Sequence, residues 1–94
     1  MTKSEIVRKI HLKTGIPSNV LATVLNEFLL TVKTEMANGN NIYLRGFGTF
    51  VIRHYAAKNA YNINDGTFRD IPAHNVPTFK PGRDMMEGVR SDSE

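Results

Sequence analysis

Two hydrophobic rhythms divide the chain near Gly39. Before it, apolar residues recur at three- and four-residue spacing: Ile6, Val7 and Ile10 in a first run, then Val20, Leu21, Val24, Leu25, Phe28, Leu29, Val32 and Met36 in a second. That is the spacing of a helical face. The first run opens on Thr2-Lys3-Ser4-Glu5, where Thr2 can cap the helix and Glu5 can reach back to complete a capping box, and Gly15 closes it. Pro17-Ser18 starts the second run and Asn38-Gly39 stops it. A helix of about 20 residues spans roughly 30 Å, and so wide an apolar face needs more cover than one short helix and a small sheet supply. The pattern predicts a dimer core built on Leu21, Val24, Leu25, Phe28, Leu29 and Val32; a self-contained monomer core is the simpler alternative.

After Gly39 the period drops to two. Ile42, Leu44, Phe50 and Ile52 alternate with Tyr43, Arg45, Val51 and Arg53, and Gly46-Phe47-Gly48 joins the two runs. Residues 55–74 continue as a ribbon around Asn64-Asp65-Gly66, where glycine tolerates the positive φ of a tight turn. This ribbon has almost nothing with which to form a core. An isolated two-stranded ribbon is marginal in water, so it is expected to order against a partner. Val76-Pro77-Thr78-Phe79 leads back to the body, with Phe47, Phe50 and Phe79 expected in the core, and a last helix follows over 81–90 with a polar tail at 91–94. The reading is one α+β domain over 1–94: a helical dimerisation half (1–39), a sheet (40–80) with its arm at about 55–74, and the closing helix.

Length and charge narrow the partners. A chain of 94 residues buries only about 60 to 70% of its unfolded surface, which again favours a partner chain or ligand. Twelve Lys and Arg against nine Asp and Glu, with a pI near 9.5, favour an anionic partner. The absence of cysteine removes disulfides and thiolate ligands. MTKSEIVRKI lacks the apolar core of a signal peptide, and no apolar run reaches the roughly 18 residues of a membrane span; a cytoplasmic location is expected.

Catalytic chemistry finds little material. His11, His54 and His74 are far apart in sequence and read as solvated or locally satisfied side chains, and Gly46-Phe47-Gly48 lacks the spacing of a phosphate-binding loop. No enzyme activity, metal, cofactor or small-molecule substrate is expected. The cations are placed more tellingly. Arg45 and Arg53 flank the sheet, Lys58 and Arg69 lie on opposite strands of the ribbon, and Lys80 and Arg83 bracket the start of the last helix, where unpaired N–H groups favour anions.

RGFGTF at 45–50, Asn62 and Gly66 about the ribbon turn, Val76-Pro77, FKPGR at 79–83 and the MTKSEI opening together resemble the HU and integration host factor family of bacterial DNA-bending proteins. The resemblance spans about residues 1–90, and the arginine before GFG and the FKPG segment look more like an integration host factor subunit than HU. It implies an intertwined homodimer or heterodimer with a helical base and two β-ribbon arms that wrap double-stranded DNA through the minor groove in the bacterial nucleoid. An apolar residue near each arm tip of such proteins enters a base step and kinks the duplex.

In the family that residue is usually proline after an asparagine; here Ile63 follows Asn62. The expectation is that Ile63 is the wedge, the alternative being that it packs on Tyr61 or Phe68 of its own ribbon. Tyr61 stands where arginine is usual, and Lys58 and Arg69 are balanced by Asp65 and Asp70, so the arm is formally neutral. Weaker and less salt-sensitive binding follows. Lys3, Arg53, Lys58, Lys80 and Arg83 are expected on phosphates, Tyr61, Asn62, Asn64 and Arg69 along the groove, and Arg45 at a sequence-biased minor-groove contact. The rival is a dimeric protein-interaction module of the same fold that has lost useful DNA affinity.

Overall fold

The computed structural model describes residues 1–90, so the tail at 91–94 lies outside the described residues. Helix α1 (Lys3–Thr14) is capped by Thr2, whose side-chain oxygen accepts from the Glu5 N–H at 3.3 Å. The capping box is only half formed. Glu5 Oε1 accepts from the Thr2 hydroxyl at 3.1 Å and does not reach the Thr2 backbone. Gly15 ends the helix in the left-handed region at φ 77°, its N–H donating to the His11 carbonyl. Helix α2 (Ser18–Ala37) follows.

The chain divides into two compact units, residues 1–34 and 35–94, with the boundary in the last turns of α2. In the first unit Val7, 8% exposed, is the one buried hydrophobic side chain, and α2 buries none of its own. Leu21, Leu25 and Val32 are half-buried, while Val24, Phe28 and Leu29 are exposed at 60%, 41% and 48%. A helix this apolar is left without a core in the single chain.

The second unit carries two sheets. Strands β1 (Ile42–Leu44), β2 (Gly48–Tyr55) and β5 (His74–Pro81) form an antiparallel sheet in the order β1-β2-β5, and β3 (Lys58–Asn62) pairs with β4 (Thr67–Ile71) as a separate two-stranded ribbon. Cross-strand partners share a face. The register Ile42↔Phe50, Leu44↔Gly48, Phe50↔Phe79 and Ile52↔Pro77 therefore sorts the apolar side chains to one side. Phe79 is the hub: its ring centroid lies 5.3 Å from that of Phe47 and 5.0 Å from that of Phe50. Phe50 and Phe79 are half-buried and Phe47 is 46% exposed.

Two expectations are corrected here. The last helix, α3, runs over Arg83–Arg90 and begins two residues late, because Pro81 still pairs with Gly48 in the ladder and the Gly82 N–H donates to the Phe47 carbonyl at 2.8 Å. The arm is also not one continuous ribbon. The ladder stops at Tyr55↔His74 and resumes at Lys58↔Ile71; the gap holds Pro72, which has no N–H to donate. Beside the sheet, Phe79, Pro81, Met85, Met86 and Val89 line a shallow apolar groove along α3.

Candidate nucleic-acid interface

The pleat sorts the ribbon's charges. In β3 and β4 the pairs Lys58↔Ile71, Ala60↔Arg69 and Asn62↔Thr67 occupy one face, and Asn59↔Asp70 and Tyr61↔Phe68 the other. Both ribbon cations thus lie on the face opposite to Asp70. A sum along the chain gives zero, yet one face is cationic. Tyr61 and Phe68 pack on each other across the strands, centroids 5.0 Å apart, which places Tyr61 on the face away from Arg69.

The ribbon tip is held by its own polar groups. The Gly66 N–H donates to the Asn62 carbonyl at 2.9 Å, with Gly66 at φ 70°. The Asn64 N–H donates to Asn62 Oδ1 at 3.0 Å, and Asp65 Oδ1 accepts from both the Thr67 N–H, at 3.1 Å, and the Thr67 hydroxyl, at 2.6 Å. These are side-chain mimics of a backbone turn. The Thr67 hydroxyl, and then its N–H, hold the Asp65 carboxyl below the usual carboxylate range. Ile63 takes no part in this network and is 85% exposed. Tyr61 and Phe68 pack on each other, and Ile63 lines a shallow concavity at the tip with Ala60, Tyr61, Asn62, Asn64 and Arg69.

The remaining candidates fall into three places. Arg53 and Lys80 share the face of the three-stranded sheet opposite to Phe50 and Phe79, both exposed, while exposed Arg45 sits in the turn between β1 and β2. Lys3 is in the helical unit, where its ammonium donates to Asn26 Oδ1 at 2.6 Å. Arg83, at the start of α3, is exposed. It pairs with Glu87 at 3.1 Å, with Asp84 also in the first turn, so the helix N-terminus already has carboxylates beside it.

The histidines have local partners. His11 Nδ1 is 2.7 Å from the Ile16 carbonyl, His54 Nδ1 2.8 Å from Asn75 Oδ1, and His74 Nδ1 2.9 Å from the Pro72 carbonyl, with the His74 ring stacked on Tyr55. Among the described residues no cluster of His, Asp and Glu could hold a metal ion, and no helix is long and apolar enough to cross a membrane. The sidedness of Lys58 and Arg69 was missed by sequence reasoning, although the register that produces it follows from a turn at 63–66.

Known proteins share this arrangement. The family model for bacterial DNA-binding proteins matches residues 1–90. The chain is 36% identical over 89 residues to DNA-binding protein HRL53 of Rhizobium leguminosarum, covering 95% of this chain and 98% of the relative. It is also 36% identical over 90 residues to the integration host factor subunit beta of Marinobacter nauticus, covering 95% and 92%. Among solved structures it superposes on HU from Anabaena in a cocrystal with DNA, with a TM-score of 0.84 at 30% identity, covering 95% of this chain and 97% of that one. It matches an HU variant from Thermotoga maritima with a TM-score of 0.70 at 27% identity, covering 95% and 99%. With a match that runs from Met1 to Arg90 and so takes in helices, sheet and ribbon alike, the chain belongs to the bacterial DNA-binding protein family of HU and integration host factor.

Proposed function

We propose that the chain acts as an architectural DNA-binding protein: a dimer, of two copies or with a related subunit, that lays its ribbon arms in the minor groove of duplex DNA and bends it. The observation that carries this reading is Ile63, a branched apolar side chain 85% exposed at a tip whose backbone is fixed by Asn62 and Asp65. Insertion of an apolar wedge costs a few kcal/mol of base stacking, offset by the protein surface that the bent duplex covers. Isoleucine lacks the ring of proline and keeps its N–H, so it lets the kink take a softer shape.

The cationic face of the ribbon lies toward phosphate, with Lys58 and Arg69 flanking the groove and Asn62 and Asn64 at the base edges, whose code there separates A·T from G·C and little else. Specificity then comes from deformable DNA, with Arg45 as the candidate for a sequence-biased contact. Lys3, Arg53, Lys80 and Arg83 serve as phosphate contacts, Arg83 the weakest because Glu87 competes for it. The dimer core takes Leu21, Val24, Leu25, Phe28, Leu29 and Val32, together with Phe47, Phe50 and Phe79. The protein works without catalysis, metal or cofactor, on the nucleoid in the cytoplasm.

The test is end-to-end fluorescence transfer on a labelled duplex of roughly 35 base pairs, long enough to be bent by wrapping, with wild type and Ile63→Ala at two salt concentrations. Transfer that rises with wild type and fails to rise with Ile63→Ala while binding persists supports the wedge. No binding at low salt moves the reading to the protein-interaction module, which the formally neutral arm favours.

A further inference from the structure

The ladder of the three-stranded sheet ends on a pair unlike the rungs before it. At Tyr55↔His74 the two rings lie stacked, centroids 5.6 Å apart and planes 19° from parallel, and both residues are exposed. By the pleat this pair shares its face with Arg53 and Lys80. His74 Nδ1 lies 2.9 Å from the Pro72 carbonyl, which can only accept, so Nδ1 carries a proton whatever the charge of the ring. The neutral ring therefore leaves Nε2 bare, and a second proton goes there. The Nδ1–H donor survives that change, so the ring is held in place in either state.

The charges facing this ring are of one sign. On β2, Arg53 stands two residues along on the same face; on β5, Val76 and Thr78 are neutral and Lys80 lies beyond them. Tyr43 of β1, opposite Thr49, completes the titratable groups of that face, and strands β1, β2 and β5 contain no acid at all. Across the gap in the ladder come Lys58 and, on the other face of the ribbon, Asp70. An imidazolium at His74 thus finds no carboxylate on its own sheet to neutralise it. An anion laid over Arg53 and Lys80 meets a third cation there. His54 makes the contrast: it belongs to the neighbouring rung, 2.8 Å from Asn75 Oδ1, on the opposite face.

We propose that His74 is a pH-gated phosphate contact at the base of the arm: as an imidazolium it joins Arg53 and Lys80 on the DNA backbone, and as a neutral imidazole it drops out, so the arm holds duplex DNA more tightly as pH falls. The proposal rests on the DNA-binding reading above and goes beyond it in coupling the contact to proton uptake. Histidine is the side chain whose charge changes between about pH 5 and 8. A phosphate beside the ring favours its charged form. By linkage, the contact is complete at low pH and is lost as pH rises through the titration of the ring in the complex.

The test measures the affinity of the full-length dimer for duplex DNA against salt concentration at about pH 6 and about pH 8, with the imidazole resonances followed by NMR in parallel. For wild type the log-log salt slope is expected to steepen at the lower pH by up to about 0.9 per protomer, the value of one phosphate. His74→Gln is expected to show, at both pH values, the slope that wild type shows at the higher one. His74→Lys, charged throughout, shows the steeper slope at both, and His54→Gln follows wild type. Adding duplex is expected to move the His74 titration to higher pH and to leave that of His54 in place. Three results overturn the proposal: a pH response that His74→Gln retains, a pH response that His54→Gln removes, or a His74 titration that duplex does not move. Wild type that binds duplex with one slope at both pH values defeats this inference alone. Wild type that binds no duplex at either pH defeats the DNA-binding reading as well.

Discussion

The ring of Phe79 lies where a side chain on Gly48 would have to go. A Cβ built on Gly48 would stand 2.6 Å from Phe79 Cζ and 2.6 Å from the Lys80 carbonyl oxygen. Neither can yield cheaply, since one belongs to the strand backbone and the other to a ring held between Phe47 and Phe50. Gly48→Ala is expected to destabilise the fold by about 1–3 kcal/mol through overpacking, read as a lowered melting temperature. Gly88→Ala, with nothing within 4 Å of the new methyl, serves as the control and is expected to melt at or above the wild-type temperature.

Ile63→Ala is expected to reduce the bend more than the affinity, because in the proposed role this side chain acts on the base stack and its loss leaves the cations in place. Fluorescence transfer at saturating protein measures the first and gel retardation the second. An unchanged bend would remove Ile63 from the role.

The sorted ribbon makes a finer prediction. Lys58→Gln and Arg69→Gln are each expected to weaken binding on every sequence and to reduce the log-log salt slope by about 0.9, the value for one lost phosphate contact. Asp70→Asn makes the same change in net charge, with opposite sign, on the other face. It is expected to move the slope by much less. Equal and opposite effects would mean that net charge alone governs the arm.

The carboxylate of Asp65 links the tip to pH. Thr67 favours its ionised form in the folded ribbon and holds its pKa down, so the turn's stabilisation is present above the unfolded-state value and is lost as pH falls through the lower folded one. The Thr67 amide resonance is expected to stay constant from neutrality down to the ordinary carboxylate range and to shift only below it. Thr67→Val, which deletes the hydroxyl, moves that midpoint upward.

Leu29, 48% exposed in the single chain, is expected inside the dimer. Leu29→Asp would then place a carboxylate in the interface, and the protein should sediment as a monomer with a melting temperature that no longer depends on concentration.

Much of this fold was legible in the chain. Helix spacing, the Gly15 cap and the stop at Asn38-Gly39 are local properties, set by periodicity and by the residues that tolerate φ > 0. The pairing of RGFG with FKPG has a physical cause that spacing alone does not reveal: Gly82 donates to the Phe47 carbonyl, and a side chain on Gly82 would meet that carbonyl oxygen at 3.0 Å. Three site features escaped, each for want of a third dimension. Charges on Lys58, Arg69, Asp65 and Asp70 cancel in a sum, and the pleat sets Asp70 on the face away from both cations. The pairing of Arg83 with Glu87, one helical turn on, needs the helix register before it can be seen. The arm's interruption depends on which residues face each other at 56–57 and 72–73.

The interrupted ladder also bears on how such a protein can diverge. Tyr61, Ile63 and Phe68 are all more than half exposed, and they lie beyond the gap that separates the ribbon from the three-stranded sheet. Substitutions there leave the packing around Phe79 untouched. The exposed side chains of the tip can therefore change one at a time at little cost to the sheet, and isoleucine after Asn62 stands at a position that the rest of the fold leaves unconstrained.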